Sequence, residues 1–161
     1  LKNYKLDIVI TRMFTYLNAR RDNLFASAFA RQIVKGKLTG KKFNLKHGYL
    51  GSVRTILDIR DAMESYWLAA IKGKRGNIYN ISGSKKLSVG DFLQKLIKIS
   101  KTNPVLIKDK KLVRPKDIDL QIATAKAFKK ATSWKEKYNL NDSMTFFLNE
   151  IEKKINFKKN G

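Results

Sequence analysis

A nearly continuous apolar run at residues 6–14 restricts the possible folds more than any other feature of this sequence. The run is rich in β-branched side chains and shows no regular alternation with polar residues. A strand of this kind is typical of a parallel sheet in which both faces are covered. Further short apolar runs alternate with segments of helical periodicity along the chain. This alternation predicts an α/β fold built in layers.

Local signals predict where the helices begin and end. A first helix is expected from Leu24 to Gly36, followed by a loop or hairpin over residues 36–42. Asp61, with Glu64 three residues later, has the spacing of a capping box, and Gly73 stands where that helix should end. Three further helices are predicted by a cap at Ser88 with Asp91 after it, by apolar spacing over residues 124–131, and by a cap at Asn141.

The remaining apolar runs predict short strands and a rigid turn. Strands are expected at residues 43–45, 77–81 and 105–107, and Pro115 predicts a fixed turn over residues 114–117. Trp67 and Trp134 are interpreted as core or helix-anchoring residues. Residues 6–14 begin the pattern with no helix or partner strand before them, so the chain reads as the second half of a larger protein.

The charge balance raises the question of nucleic-acid binding. The 161 residues include 35 Lys and Arg against 13 Asp and Glu, which gives a net charge of +22. Cations that neutralise phosphates release counterions, so such a charge is compatible with DNA or RNA. However, 27 of these cations are Lys, they are spread along the chain, and no nucleic-acid-binding motif is present. We do not expect a nucleic-acid partner, but a basic nucleic-acid-binding domain stays an alternative.

Composition excludes several kinds of site. The chain has no Cys, and His47 is its one histidine, so disulfides, thiolate metal sites, Cys nucleophiles and multi-His zinc sites are excluded. No metal site is expected. No apolar run is long enough to span a membrane and no secretory signal opens the chain. A cytoplasmic protein without a membrane partner is the expectation.

Arginines are the most informative polar residues because only 8 occur among the 35 cations. A guanidinium presents a planar fork that matches phosphate oxygens, whereas Lys is a point charge. Arg20 and Arg21 follow the first predicted strand, which is where α/β folds bind ligands. Arg54 precedes the helix that begins near Asp61, and Arg114 precedes Pro115. These arginines could together hold a diphosphate, although for each one alone a surface ion pair is the favoured interpretation.

The motifs of a self-contained nicotinamide enzyme are missing from the sequence. The pairs Gly48/Gly51 and Gly73/Gly76 both lack a third glycine, and neither lies in a strand-to-helix turn of the dinucleotide-binding type. No Tyr is followed by Lys four residues later. Asp58 and Asp61 do not form a convincing acid/base pair, because Asp61 is expected to cap a helix. No catalytic residue is therefore predicted in this chain.

Several stretches together resemble the extended short-chain dehydrogenase/reductases that act on nucleotide sugars. One such stretch is Arg20-Arg21-Asp22-Asn23-Leu24-Phe25. The matching stretches occur along the chain in the same order as in the family. The branch of GDP-mannose 4,6-dehydratase and GDP-4-keto-6-deoxymannose reductase is the most similar. The other matching stretches are residues 12–14, 26–33, 48–50, 53–54, 57–62, 66–69, 76–84, 114–119 and 129–135.

The resemblance implies the C-terminal part of a Rossmann-type enzyme, with edge strands and a small α/β substrate domain over residues 1–161. The N-terminal cofactor-binding half is then absent from this sequence. In the family, NADP takes hydride from C4 of the mannosyl group, water leaves from C5 and C6, and the hydride returns at C6. The Tyr-x-x-x-Lys pair and the Gly-rich turn lie in the half that this chain lacks. We therefore expect a part that binds GDP-mannose or a related nucleotide sugar, is inactive alone, and belongs to a homo-oligomer when complete.

The same resemblance implies roles for individual residues. Arg54 and Arg114 match the arginines near the substrate diphosphate, and Asp117 matches a carboxylate that faces the ribose. At the cofactor, Arg20 and Arg21 match the two arginines of the family loop Phe-Asn-His-x-x-Pro-Arg-Arg. The loop's Asn, His and Pro are replaced here by Thr15, Tyr16 and Ala19, and an Asp of the family is replaced by Thr55. Tyr16 thus occupies the position of the cofactor-contacting histidine.

Three alternatives stay open at this point. The chain could derive from the reductase or from another nucleotide-sugar epimerase or dehydratase. It could be the basic nucleic-acid-binding domain considered above, or a structural or oligomerisation module that keeps an ancestral fold.

Overall fold

The computed structural model describes residues 6–113 and 118–160, with side chains as far as residue 157. Strands and helices alternate along the chain, as predicted. The strands are β1 (Ile10–Met13), β2 (Asn44–His47), β3 (Val53–Ile56), β4 (Ile78–Ile81), β5 (Lys85–Ser88), β6 (Val105–Lys108) and β7 (Leu120–Gln121). The helices are α1 (Phe25–Thr39), α2 (Ile59–Lys72), α3 (Val89–Ser100), α4 (Lys126–Thr132) and α5 (Leu140–Asn160), with a 3-10 turn at Lys110–Leu112.

The strands form three small sheets. β1 pairs with β4 in parallel, with Ile10 opposite Ile78, and β2 pairs with β6 in parallel, with Leu45 opposite Leu106. In the third sheet β3 lies between β5, which is antiparallel to it, and β7, which is parallel. Residues distant in sequence therefore meet at β3, and Arg54 lies opposite Gln121.

Two apolar cores hold these layers together. The larger core packs α1, α3 and α5 around β2, and its large buried members are Leu17, Phe29, Ile33, Leu45, Phe92, Leu93, Leu96, Met144, Phe147 and Ile151. The helices predicted after Ser88 and near Asn141 are confirmed as α3 and α5. The smaller core packs α2 and α4 on one face of β1 and β4, with Leu57, Ala62, Ala69, Tyr79, Ile81, Phe128 and Trp134 buried.

The first helix extends further than predicted. α1 continues through Gly36 to Thr39 and ends at Gly40, which has a φ of 64°. Gly36 is buried, and a Cβ atom at this position would overlap the ring of Phe43. A glycine here lets α1 lie close to the segment that enters β2, so it serves packing rather than helix termination. The loop predicted over residues 36–42 is therefore wrong for residues 36–39 and confirmed for residues 40–42.

Two predicted helix caps are displaced in the structure. Asp58, not Asp61, caps α2, because its side chain accepts the N–H of Arg60 at 2.7 Å. Asn139, not Asn141, stands before α5, where its side-chain oxygen accepts the N–H of Asp142 at 3.0 Å. The predicted cap at Ser88, with Asp91 after it, and the helix end at Gly73 are confirmed.

The structure also corrects the predictions for exposed apolar residues. Trp134 is buried as predicted, but Trp67 is 66% exposed on the outer face of α2. The run at residues 6–14 is a shorter strand than expected, and only one of its faces is covered among the described residues. The strands β3 and β5 carry few of the signals that mark a buried strand, and the sequence did not predict them.

A cluster of charges at the start of α2 joins the two cores. The carboxylate of Asp58 is 2.8 Å from a guanidinium nitrogen of Arg60, whose guanidinium carbon lies 3.5 Å from the ring centroid of Tyr138. The buried side chain of Asp61 accepts the backbone N–H of Lys137 at 3.1 Å and that of Tyr138 at 3.3 Å. The segment that leads into α5 is thereby fixed to the first turn of α2.

The pKa values of the two carboxyl groups in this cluster are shifted in opposite directions. Burial alone would raise the pKa of Asp58, but hydrogen bonds from Arg60 and Ser143 outweigh it and lower that pKa. Burial raises the pKa of Asp61 despite its hydrogen bonds from the backbone of Lys137 and Tyr138. The folded chain therefore favours the charged form of Asp58 and the neutral form of Asp61 relative to the unfolded chain.

Asp58→Asn tests the charge contribution of this cap. We expect the free energy of unfolding to fall by about 1–3 kcal/mol at neutral pH, because Arg60 loses its anionic partner. The lowered pKa means that this contribution is complete above the unfolded value of about 4 and is lost as the pH falls through the folded value. Urea unfolding at a series of pH values should therefore show the difference from the unaltered chain shrinking below about pH 4.

Asp61→Asn is the matched control, and it should show the reverse trend. Since the folded pKa of Asp61 is raised, protonation stabilises the folded chain relative to the unfolded chain. The unaltered chain should therefore gain stability relative to Asp61→Asn as the pH falls through the raised value. Parallel pH dependence in both variants would contradict the assignment of opposite environments.

Candidate functional site

The largest described cleft lies where both cores and the sheet ends meet. Its volume is about 870 Å³, within the range of small-molecule sites. It is bounded by the segment after β1, the first turns of α1, the end of β2 and the beginning of β3. Its lining residues include Met13, Tyr16, Arg21, Phe25, Gln32, Lys46, His47, Gly48, Tyr49, Arg54, Tyr66, Leu112 and Ile118.

The segment after β1 brings two of the three predicted cofactor residues to this cleft. Tyr16 forms a parallel bridge with Leu57, and the N–H of Leu17 donates to the carbonyl of Leu57 at 3.0 Å. The following turn is closed by Asn18, whose side-chain oxygen accepts the N–H of Arg20 at 2.9 Å. Tyr16 and Arg21 line the cleft, whereas Arg20 is not part of the lining.

Arg54 is held in the cleft wall by two backbone carbonyls. Its Nη1 atom donates to the carbonyl of Val53 at 2.9 Å and to that of Ile118 at 2.8 Å. Both bonds use the same nitrogen, so the Nε and Nη2 groups stay available for other acceptors. The guanidinium is thus positioned by β3 and by the residues that directly precede β7. Such a fixed fork is suited to two oxygens of a phosphate.

The other two predicted substrate residues cannot be placed. Arg114 and Asp117 lie outside the described residues, so their assignment stays a prediction. The described residues nearest to them in sequence that line the cleft are Leu112 and Ile118.

The end of β2 adds polar residues that are not among the predicted site residues. Lys46 and His47 line the cleft at the carboxyl end of this parallel strand, which is the end where α/β sheets bind ligands. Gln32 holds the strand in place, since its amide accepts the N–H of Lys46 at 2.8 Å and donates to the Lys46 carbonyl at 3.0 Å. The signal was present, because Lys46 and His47 directly follow the strand predicted at residues 43–45.

The cleft combines positive charge with aromatic walls. Lys46, Arg21 and Arg54 contribute cations, and Lys46 lies 3.8 Å from a carboxylate oxygen of Asp109. Tyr66 is half-exposed beside Tyr16, and burial raises its pKa, so it is a neutral hydrogen-bonding group at physiological pH. This arrangement is suited to an anion that carries rings, as in a nucleotide.

The described part of the chain contains neither a cluster of metal-binding side chains nor a membrane-spanning helix. Over residues 6–113 and 118–160, no group of three or more His, Asp or Glu side chains is placed to hold a metal ion. None of the helices in the same ranges is long and apolar enough to cross a membrane.

Comparison with protein-family models identifies the family directly. The model described as GDP-mannose 4,6 dehydratase matches residues 1–145. The chain belongs to the GDP-mannose 4,6 dehydratase family. The resemblance seen in its arginine-containing loop and neighbouring motifs is thereby confirmed, and the chain is a member of the nucleotide-sugar dehydratases and epimerases.

Solved structures of nucleotide-sugar enzymes share the fold of this family member. RMD from Pseudomonas aeruginosa, complexed with NADPH, superposes with a TM-score of 0.83 at 20% identity over 92% of this chain and 49% of that chain. The dTDP-glucose 4,6-dehydratase from Bacillus anthracis, in complex with NAD, gives a TM-score of 0.78 at 20% identity over 99% of this chain and 49% of that one.

UDP-glucuronic acid 4-epimerase from Bacillus cereus, in complex with UDP-glucuronic acid and NAD, gives a TM-score of 0.78 at 22% identity. The match covers 94% of this chain and 47% of the epimerase. This chain therefore spans about half the length of these solved structures. The predicted α/β fold of a Rossmann-type extended short-chain dehydrogenase/reductase is confirmed.

Gly48→Ala tests how strongly the cleft wall depends on a close backbone approach. A Cβ atom at Gly48 would overlap the carbonyl oxygen of Leu112, so the 3-10 turn would have to move. We expect a loss of about 1–3 kcal/mol in the free energy of unfolding, measured in urea. Gly90→Ala is the control, because its Cβ atom would meet Leu50 at an ordinary 3.4 Å and a helical alanine is favourable. Equal effects of both changes would contradict the close approach.

Proposed function

We propose that this chain is the sugar-nucleotide-binding part of a GDP-mannose 4,6 dehydratase-like enzyme, with GDP-mannose as its substrate. Membership of the family supports the substrate class. The placement of Arg54 in the cleft wall is the observation that carries the proposal, because its guanidinium is held by two carbonyls and lines a cleft with Arg21 and Lys46.

The diphosphate is the part of the substrate that this cleft recognises best. The Nε and Nη2 groups of Arg54 donate to oxygens of one phosphate in a bidentate contact. Lys46, whose side chain is 63% exposed, adds a mobile charge at the end of β2. The family resemblance supports two further roles in this proposal. Arg114 is proposed as a second arginine at the diphosphate, and Asp117 as a carboxylate that faces the ribose.

The aromatic residues of the cleft supply the apolar contacts that a nucleotide sugar needs. Tyr49 and Phe25 line the same space as the cations, and Tyr49 is 43% exposed. Rings of this kind stack on a base or cover the apolar face of a sugar. Recognition then combines a charged site for the diphosphate with aromatic walls on its sides.

The described residues also fit one side of a bound NADP. The carboxyl end of β1 is the position at which a parallel sheet binds nucleotides, and Tyr16 and Arg21 line the cleft directly after it. Tyr16 would hydrogen-bond the cofactor and Arg21 would pair with one of its phosphates, with Arg20 assigned to the same site by the family loop. NADP, when bound, accepts and returns the hydride of the dehydration.

This chain contributes binding and orientation to the reaction rather than proton transfer. No Tyr-x-x-x-Lys pair occurs in the sequence, and no Gly-rich turn follows β1. We therefore propose that the 161 residues are inactive alone. The complete enzyme is proposed to be a cytoplasmic homo-oligomer.

Arg54→Met tests the diphosphate contact. We expect the unaltered chain to bind GDP-mannose and the variant to bind at least about tenfold more weakly in isothermal titration calorimetry, because a bidentate charged contact is lost. Arg75→Met is the control: Arg75 is 57% exposed, pairs with Asp7 at 2.9 Å and does not line the cleft. A Kd that Arg54→Met leaves unchanged, or the absence of binding at millimolar GDP-mannose, would overturn the proposal.

A small panel of ligands distinguishes GDP-mannose from the alternatives. GDP-mannose is compared with dTDP-glucose, UDP-glucuronic acid and free GDP under the same conditions. Tightest binding of GDP-mannose supports the proposed substrate. Preference for a dTDP- or UDP-sugar would move the assignment to another nucleotide-sugar dehydratase or epimerase.

A further inference from the structure

One carboxylate lies beside the cations of the cleft. Asp22 is the one Asp or Glu among the described residues that line this space, and it directly follows Arg21 in the sequence. A carboxylate and a guanidinium on neighbouring residues can pair, and the pair would occupy the donors that a phosphate needs. The position of the Asp22 carboxylate therefore decides whether Arg21 is able to bind an anionic ligand.

Two cations from outside the cleft hold this carboxylate. The Nη2 atom of Arg31 donates to Oδ1 of Asp22, and the Nζ atom of Lys154 donates to the same oxygen at 3.3 Å. Arg31 lies on α1 and Lys154 on α5, and neither residue lines the cleft. The ion pairs that Asp22 forms with described side chains therefore go to these two residues rather than to Arg21.

The larger core fixes the position of Arg31 and Lys154. The helices that carry them pack together in this core, where Ile33 of α1 and Ile151 of α5 are buried. The side chain of Arg31 is 22% exposed, and its Nε atom is buried with no hydrogen-bond partner in the described part of the chain. Loss of its carboxylate would leave a mostly covered charge unpaired, so Arg31 retains Asp22 strongly.

The contact from α5 lies beyond the part of the chain that the family model matches. That match ends at residue 145, whereas Lys154 lies further along α5. Its Nζ atom nevertheless reaches a cleft residue 132 positions earlier in the sequence. The restraint on Asp22 is thus a property of the α5 helix of this chain.

We propose that Arg31 and Lys154 are positioning residues that hold the carboxylate of Asp22 away from Arg21. Arg21 then stays available to a diphosphate, which both a nucleotide sugar and NADP carry. Arg31 and Lys154 act through Asp22 and do not contact the ligand. The inference rests on the proposed function only in taking a diphosphate as the ligand of the cleft.

Arg31→Met tests the restraint with and without a ligand. The variant releases Asp22, which then pairs with Arg21, so the NMR signal of the Arg21 Nε–H group should shift in the ligand-free chain. In isothermal titration calorimetry the Kd should rise at least about fivefold for GDP-mannose or NADPH, and likewise for inorganic pyrophosphate. Comparison of the three ligands shows which diphosphate Arg21 binds. Circular dichroism confirms that the variant is folded.

Asp22→Asn provides the decisive second background. It removes the charge that competes for Arg21 but keeps an oxygen that accepts from Arg31. Adding Arg31→Met to this background should change the Kd by less than about twofold and leave the Arg21 signal in place. Equal weakening by Arg31→Met in both backgrounds would overturn the proposal, because a packing role or a general loss of positive charge does not depend on Asp22.

Lys153→Met is the matched control for Lys154→Met. Lys153 is the preceding residue of α5, carries the same charge and pairs with Glu150 at 2.8 Å. Lys154→Met should raise the Kd about two- to threefold and shift the Arg21 signal, whereas Lys153→Met should change neither. Equal effects of the two variants would remove Lys154 from the proposal.

The same measurements separate this inference from the proposed function. If Arg31→Met shifts the Arg21 signal and weakens pyrophosphate binding while the chain does not bind GDP-mannose, the proposed function fails and the restraint stands. If GDP-mannose binds and Arg31→Met changes neither its Kd nor the Arg21 signal, the restraint fails and the proposed function stands. Binding of none of the three ligands would overturn both.

Discussion

The anchoring of the segment before α5 on the first turn of α2 is the interaction on which the site depends. Asp61 accepts two backbone N–H groups of that segment, and Arg60 lies between Asp58 and the ring of Tyr138. Leu57, one residue before the cap, bridges Tyr16 at the end of β1. The same few residues therefore join the two cores and fix the cleft wall. Neither core alone would position both Arg21 and Arg54.

The parts of the fold that were predicted correctly are those decided by neighbours in sequence. The cap at Ser88 and the stop at Gly73 depend on side chains within one turn of the helix end. The errors occur where a distant contact decides. Asp58 and Asp61 are the same residue type, and Asp61 is drawn away from capping by backbone donors 76 and 77 residues later. β3 is a strand because β5 and β7 pair with it, and no local pattern in the sequence predicts that pairing.

The predictions for the candidate site also succeed where local signals suffice and fail where distant contacts decide. Arg54 and Arg21 could be selected because arginine is scarce in this lysine-rich chain and because the family resemblance supplied their positions. Lys46 and His47 were missed, since their importance depends on the parallel pairing of β2 with β6, which places them at the ligand-binding end of a sheet. Arg20 and Arg21 are adjacent in sequence, but only Arg21 lines the cleft, a difference that the residue type alone does not predict.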